Sequence, residues 1–151
     1  MLMFFAGCSN EGSGKELIDG INGFLTDHFD RCRLDSLNYI IIIPNQGCAG
    51  CVNVAELFYR DFSERNDILF IFSNIQSVKM LHHKISVNNA NTIIDTANVY
   101  LNMFQQKEAI YPTAIVMKDG SASAIMMQSP RQPGLRVIRN HLEQKLLTKN
   151  K

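Results

Sequence analysis

The chain has 151 residues, of which 46% are hydrophobic and 19% charged. This is enough apolar sequence for one domain with a buried core, and it excludes an intrinsically disordered chain. Fifteen basic residues nearly balance fourteen acidic ones, and the net charge of +1 argues against a nucleic-acid-binding protein.

The N-terminal residues are apolar as far as a cysteine. Phe5-Ala6-Gly7-Cys8 resembles a bacterial lipobox, and the polar stretch 9–14 that follows is typical of a flexible linker. Lipidation of Cys8 with two acyl chains would anchor the protein to a membrane. A signal peptide needs a basic region and about 7–15 apolar residues, so the alternatives are a start further upstream or an apolar terminus with a chance cysteine. We expect residues 1–15 to be this segment and linker, and residues 16–151 to form one domain.

Apolar periodicity defines the first half of that domain. An amphipathic helix is predicted over about 15–30, followed by a central strand that runs from Leu37 to Ile43 and ends at Pro44. A helix from about Cys48 to Ser63 comes next, with Cys51 on its core face and Glu56 pointing to water. Residues 68–72 are predicted to form a second buried strand.

The second half contains further helices and a hairpin. We predict that residues 76–91 form a helix that fades into an Asn-rich loop at its end, and that a short strand over 92–94 and a short helix over 96–106 follow. Asp119-Gly120 is a strong two-residue turn signal that joins strands 113–117 and 122–127. An amphipathic helix follows Pro133-Gly134. Strands that alternate with helices and then end in a hairpin indicate an α/β domain with a mixed sheet.

The chemistry-bearing motif is Cys48-Ala49-Gly50-Cys51, at the point where a central strand ends and a helix begins. Free N–H groups and the dipole at a helix N-terminus stabilise a thiolate, so Cys48 is the expected attacking sulfur. Cys51 lies one turn further along on the buried face and is the expected resolving sulfur.

Other interpretations of this pair are weaker. No second ligand pair at zinc-finger spacing accompanies it, and haem attachment would require histidine where Val52 stands. The adjacent His82 and His83 are most simply exposed residues, and we predict neither a metal site nor a cofactor. An inert C-x-x-C pair in a buried helix remains the main alternative.

The combination of motifs resembles the thioredoxin superfamily over about residues 34–147. The resemblance depends on the C-x-x-C pair after the 40–43 strand, on Tyr111-Pro112-Thr113 before the next strand, and on the Asp119-Gly120 hairpin with its final helix. It implies an α/β thioredoxin-like fold: a mixed central sheet, helices on both faces, and a C-terminal β-hairpin plus helix. It also implies a cis Pro112 that faces the cysteines and a Tyr111 backbone that holds an extended substrate.

The segment between Phe72 and Tyr111 is longer than in thioredoxin itself. The stretch that begins at Asp95 resembles the insert of membrane-anchored extracytoplasmic thioredoxin-like oxidoreductases. Together with Cys8, it leads us to expect a lipoprotein on the periplasmic side of a membrane. Its expected partners are protein thiols and disulfides and a redox partner protein.

The chain departs from the family pattern at three positions. Gly47 replaces the frequent aromatic residue before the first cysteine, and Gly50 replaces a frequent proline. Ile42 stands where thioredoxin has a buried acid, which leaves no obvious base for Cys51. A redox-inert scaffold lipoprotein with a structural Cys48–Cys51 bridge is therefore the competing hypothesis. The remaining cysteine, Cys32, is expected to pack inward.

Overall fold

The computed structural model describes residues 12–104 and 109–149. Cys8, the predicted lipidation site, lies outside the described residues. In the described part, helices and strands follow one another in this order: α1 (Gly12–His28), α2 (Arg31–Ser36), β1 (Tyr39–Pro44), α3 (Ala49–Phe62), β2 (Ile68–Ser73), α4 (Val78–Lys84), β3 (Thr92–Ile94), a 3-10 turn (Leu101–Met103), β4 (Thr113–Lys118), β5 (Ser121–Met127) and α5 (Gly134–Lys149).

The strands form one mixed sheet in the order β3-β2-β1-β4-β5. β1 pairs parallel with β2 and antiparallel with β4, and β2 pairs parallel with β3. The carboxyl ends of β1, β2 and β3 therefore lie at the same edge of the sheet as the amino end of β4. This edge brings the Cys48 turn next to the segment that precedes Thr113. The mixed α/β architecture predicted from the sequence is confirmed.

Two apolar cores cover the two faces of the sheet. The alternation of side chains along β1 sends Ile41 and Ile43 into the core shared with α3, α4 and α5, and sends Ile40 and Ile42 into the core shared with α1 and α2. All four side chains are 0–1% exposed. The continuous apolar run is thus explained by burial on both faces.

Two predicted helices are shorter in the structure. The helix predicted over 76–91 spans only Val78–Lys84, since Ser77 caps its start and the chain is extended at Ile85. The helix predicted over 96–106 is reduced to the short 3-10 turn. The Asp95 carboxylate accepts hydrogen bonds from the amides of Val99 and Tyr100 at 3.0 and 2.9 Å, and this local turn competes with a regular helix.

The sequence analysis also missed α2, a single short helix capped by Asp30, whose carboxylate accepts from the Arg33 amide at 2.8 Å. The hairpin prediction is confirmed, since Asp119 and Gly120 both have positive φ, 51° and 74°. Arg31 of α2 donates to the Asp119 carbonyl at 2.8 Å, so α2 is hydrogen-bonded to the turn between β4 and β5. Within the described residues, no helix combines the length and apolar character needed to cross a bilayer.

Candidate active site around the Cys48–Cys51 disulfide

Cys48 and Cys51 form a disulfide at the start of α3. Their Cα atoms are 5.2 Å apart. Cys48 is the N-cap residue, with extended backbone, and is partly buried, whereas Cys51 is only 4% exposed. The Cys48 carbonyl already accepts the first helical bond, from the Val52 amide at 2.9 Å. A partly buried cysteine at a helix N-terminus is therefore bonded to a buried one on the core face of the helix, and both positions are as the sequence predicted.

A tight contact holds the turn before the disulfide. The Cys48 amide donates to the Ile110 carbonyl at 3.3 Å. Gly47 has φ of 150°, and a Cβ added there would overlap the Ile110 carbonyl oxygen. A side chain would therefore face both an unfavourable backbone conformation and a steric clash. This explains why glycine is required at position 47.

Pro112 is buried beside this turn, but its peptide bond is not the cis bond that the resemblance implied. Every peptide bond among the described residues is trans, so that prediction is wrong. The trans form is the default for X-Pro bonds, and here the chain passes directly into β4, with the Pro112 carbonyl accepting from the Gln128 amide at 2.8 Å. Tyr111 is partly buried, and its carbonyl accepts from the Thr113 hydroxyl at 3.1 Å.

Hydrogen bonds between loops support the disulfide turn from the β2 side. The Asn45 amide donates to the Ser73 carbonyl at 2.8 Å. Asn74, in a left-handed conformation with φ of 52°, donates from its side chain to the Gln46 carbonyl at 3.4 Å and from its amide to the Asn98 side chain at 2.8 Å. Sequence reasoning missed these asparagines, although polar residues directly after a buried strand are a signal for such contacts.

Asp95 belongs to the same edge and is 5% exposed. Besides the amides of Val99 and Tyr100, its carboxylate accepts from the buried Ser73 hydroxyl at 3.3 Å. Burial of Tyr100, with the nearby negative charge of Asp95, raises the pKa of that phenol above 10.0. The hydrogen bonds of Asp95 therefore link the end of β2 to the segment 95–100.

Glu56 does not point to water as predicted, since it is only 8% exposed. Its two carboxylate oxygens lie 2.8 and 2.7 Å from Nζ of Lys84 on α4. A carboxylate is tolerated in this buried position because the ammonium compensates its charge. The pair joins α3 to α4. Helical periodicity alone could not reveal a partner from another helix.

Position 42, where the resemblance would place a buried acid, is apolar in the structure. Ile42 is 1% exposed and packs in the core shared with α1 and α2, on the sheet face opposite α3. The face beneath α3 receives Ile41 and Ile43 instead. Neither face of β1 therefore offers Cys51 a carboxylate.

Cys32 is exposed rather than packed inward, so that prediction is wrong. The inward residue of α2 is Leu34, and two positions along a helix correspond to about 200° of rotation, which turns Cys32 to the opposite side. His82 and His83 are exposed on α4, as expected. Within the described ranges, no three His, Cys, Asp or Glu side chains are grouped so that they could hold a metal ion.

Compared with protein-family models, with curated protein sequences and with solved structures, the chain shows no significant match.

Proposed function

We propose that this protein carries out thiol–disulfide exchange through Cys48 and Cys51, in a thioredoxin-like domain held by a lipid anchor at Cys8 on the extracytoplasmic side of a membrane. One observation carries the proposal. Cys48, a partly buried residue at the N-terminus of α3, is bonded to Cys51, a residue that is only 4% exposed. This asymmetry favours attack at Cys48 and protects Cys51 from outside thiols.

The exchange balances with a protein dithiol as the co-reactant. A substrate thiolate attacks Sγ of Cys48, the Cys48–Cys51 bond breaks, and Cys51 leaves as a thiolate that takes up a proton. The second substrate thiolate then attacks the substrate sulfur of the mixed disulfide and releases Cys48 as a thiolate. Two electrons pass from the substrate to the protein. The two substrate thiols lose their protons to solvent when they ionise, and Cys51 takes up one proton from solvent, as Cys48 does when its thiolate is protonated. The reverse sequence reduces a substrate disulfide, and a redox partner protein restores the starting state.

A glutathione redox titration tests this proposal. The full chain with Cys8 and Cys32 replaced by serine leaves one cysteine pair, and alkylation followed by mass measurement counts its free thiols. A reversible transition at about −180 mV would indicate an oxidant or isomerase, and one at about −270 mV a reductant. Thiols that never pair would contradict the proposal.

Single-cysteine variants test the two roles. Cys51→Ser should accumulate mixed disulfides when Cys48 attacks substrate disulfides, because the resolving sulfur is missing. Cys48→Ser is the matched control, since the remaining sulfur is buried and should exchange far more slowly. Equal exchange by the two variants would contradict the assignment of Cys48 as the attacking residue.

The alternative function is a redox-inert binding or scaffold protein whose disulfide is structural. The apolar environment of Ile42 favours it, because no carboxylate at that position can take the proton of Cys51. A bridge that stays closed in the titration below about −300 mV would support this alternative.

The anchor is tested separately. In a bacterial host, Cys8 should incorporate labelled fatty acid, and the protein should fractionate with membranes, because two acyl chains give stable attachment. Cys8→Ser should abolish both properties, whereas Cys32→Ser should leave them unchanged. Membrane fractionation of the Cys8→Ser variant would contradict the anchor.

A further inference from the structure

A cavity of about 450 Å³ opens beside the segment that contacts the disulfide turn. Its size is in the range of small-ligand and side-chain pockets. Tyr111, next to the Ile110 carbonyl that accepts from the Cys48 amide, forms one wall. The lining residues are Tyr111, Met127, Ser129, Pro130, Arg131 and Gln132.

A rigid turn presents Arg131 to this cavity. The backbones of Ser129 and Gln132 bond to each other in both directions, at 2.8 and 3.3 Å. The Ser129 hydroxyl accepts from the amides of Arg131 and Gln132, at 3.3 and 3.1 Å. The turn is also fixed to the site, because the Gln128 amide donates to the Pro112 carbonyl at 2.8 Å. The Arg131 backbone is thus held in place, while its side chain is exposed.

Arg131 is an exposed charged residue at this edge of the sheet. No carboxylate among the described residues lies within 4.0 Å of its guanidinium, whereas Arg65 and Arg139 are both paired with aspartates. Five described segments form the edge: 45–48, 74–77, 95–100, 109–112 and 128–133. Their only charged residues are Arg131 and the buried, hydrogen-bonded Asp95. Within these five described segments, the accessible charge is therefore positive.

We infer that Arg131 selects substrates in which a carboxylate side chain lies close to the reacting cysteine. The acidic residue of such a polypeptide enters the cavity beside Tyr111 and pairs with the guanidinium while the substrate sulfur meets Cys48. The positive guanidinium lowers the free energy of the encounter complex for acidic segments by attraction and raises it for basic segments by repulsion. The inference rests on the proposed exchange function and names its substrate class.

Kinetics with charged peptides test this selection. The probes are three peptides with an internal disulfide, identical except for glutamate, glutamine or lysine residues flanking one cysteine. The reduced full chain, with Cys8 and Cys32 replaced by serine, reacts with each peptide at low ionic strength, and acid quenching with mass measurement gives the rate. Each rate is divided by the rate of the same peptide with dithiothreitol, an uncharged dithiol, which removes the intrinsic reactivity of the peptide.

We expect the glutamate peptide to react about threefold faster than the lysine peptide, as a partly screened ion pair allows. High salt should reduce the ratio. Arg131→Gln should bring the ratio to about one, and Arg131→Glu should invert it. Arg33→Glu changes the net charge equally, but Arg33 lies on α2, which leads into the opposite edge of the sheet. This control should keep the full preference.

The outcomes separate the two proposals. Exchange with all three peptides at equal normalised rates, or the same preference in the Arg131→Glu and Arg33→Glu variants, would overturn the inference and leave the exchange function standing. Absence of exchange with any peptide would overturn both.

Discussion

Replacement of Gly47 by alanine is the sharpest test of how the disulfide turn is built. Gly47 has φ of 150°, and an added Cβ would overlap the Ile110 carbonyl oxygen. A non-glycine residue in such a conformation costs about 1–3 kcal/mol. Displacement of Ile110 would also weaken its 3.3 Å bond from the Cys48 amide, worth about 0.5–1.5 kcal/mol.

These costs sum to about 1.5–4.5 kcal/mol of unfolding free energy. The loss of glycine flexibility in the unfolded chain offsets about 0.4–1 kcal/mol of this. The remainder is a large fraction of the ~5–15 kcal/mol that stabilises a typical domain. The unfolding free energy of a small domain falls by about 2 kcal/mol per M of urea, so the midpoint of unfolding should fall by about 1 M.

The assay is urea unfolding followed by far-ultraviolet circular dichroism, with the disulfide oxidised and with Cys8 and Cys32 replaced by serine. Gly50→Ala is the matched control, because a Cβ added at Gly50 would meet nothing within 4 Å and the residue sits in the first turn of α3. That variant should be unchanged or more stable by about 0.5 kcal/mol. Equal midpoints for Gly47→Ala and the parent protein would refute the steric argument.

Two ion pairs give further predictions. Lys84→Met should destabilise the protein by about 1–2 kcal/mol in urea unfolding, because it leaves the Glu56 carboxylate buried and uncompensated. The double variant Lys84→Met/Glu56→Gln should recover most of this loss of stability. Failure to recover it would contradict the pairing argument. Burial raises the pKa of Asp67, but hydrogen bonds from Arg65 and Asn38 outweigh it, so the folded pKa lies below 3.8. The resulting stabilisation is present above the unfolded pKa of about 4 and is lost as the pH falls through the folded value. Urea midpoints measured from pH 7 to pH 3 test this assignment. Asp67→Asn should lower the midpoint at pH 7 and make the midpoint fall less as the pH is lowered. A midpoint that falls as steeply as in the parent protein would contradict the assignment.

The cysteine pair and the central strands were predictable because their signals are local. The run from Ile40 to Ile43 indicates a strand buried on both faces whatever packs against it. Two cysteines separated by two residues at a helix start can bridge without help from the rest of the chain. The turn at Asp119 and Gly120 likewise follows from backbone preferences within a few residues.

Other features could not be predicted, because distant parts of the chain create them. Helical periodicity places Glu56 on an outer face, but Lys84 on α4 approaches that face and encloses it. The helix predicted after residue 95 is replaced by a turn because the Asp95 carboxylate accepts from the amides of Val99 and Tyr100. Competition between a side-chain acceptor and the helical carbonyls leaves no clear periodic signal.

The α/β class, the mixed sheet and the position of Cys48 and Cys51 at the start of α3 were therefore predictable from local patterns. The surroundings of that pair come from the tertiary structure: the contact between Gly47 and Ile110, the trans bond before Pro112, and the exposed Arg131, which has no carboxylate within 4.0 Å in the described part of the chain. Elements form from preferences within a few residues. The environment of a site depends on which strand ends the sheet brings to one edge, and that information is non-local.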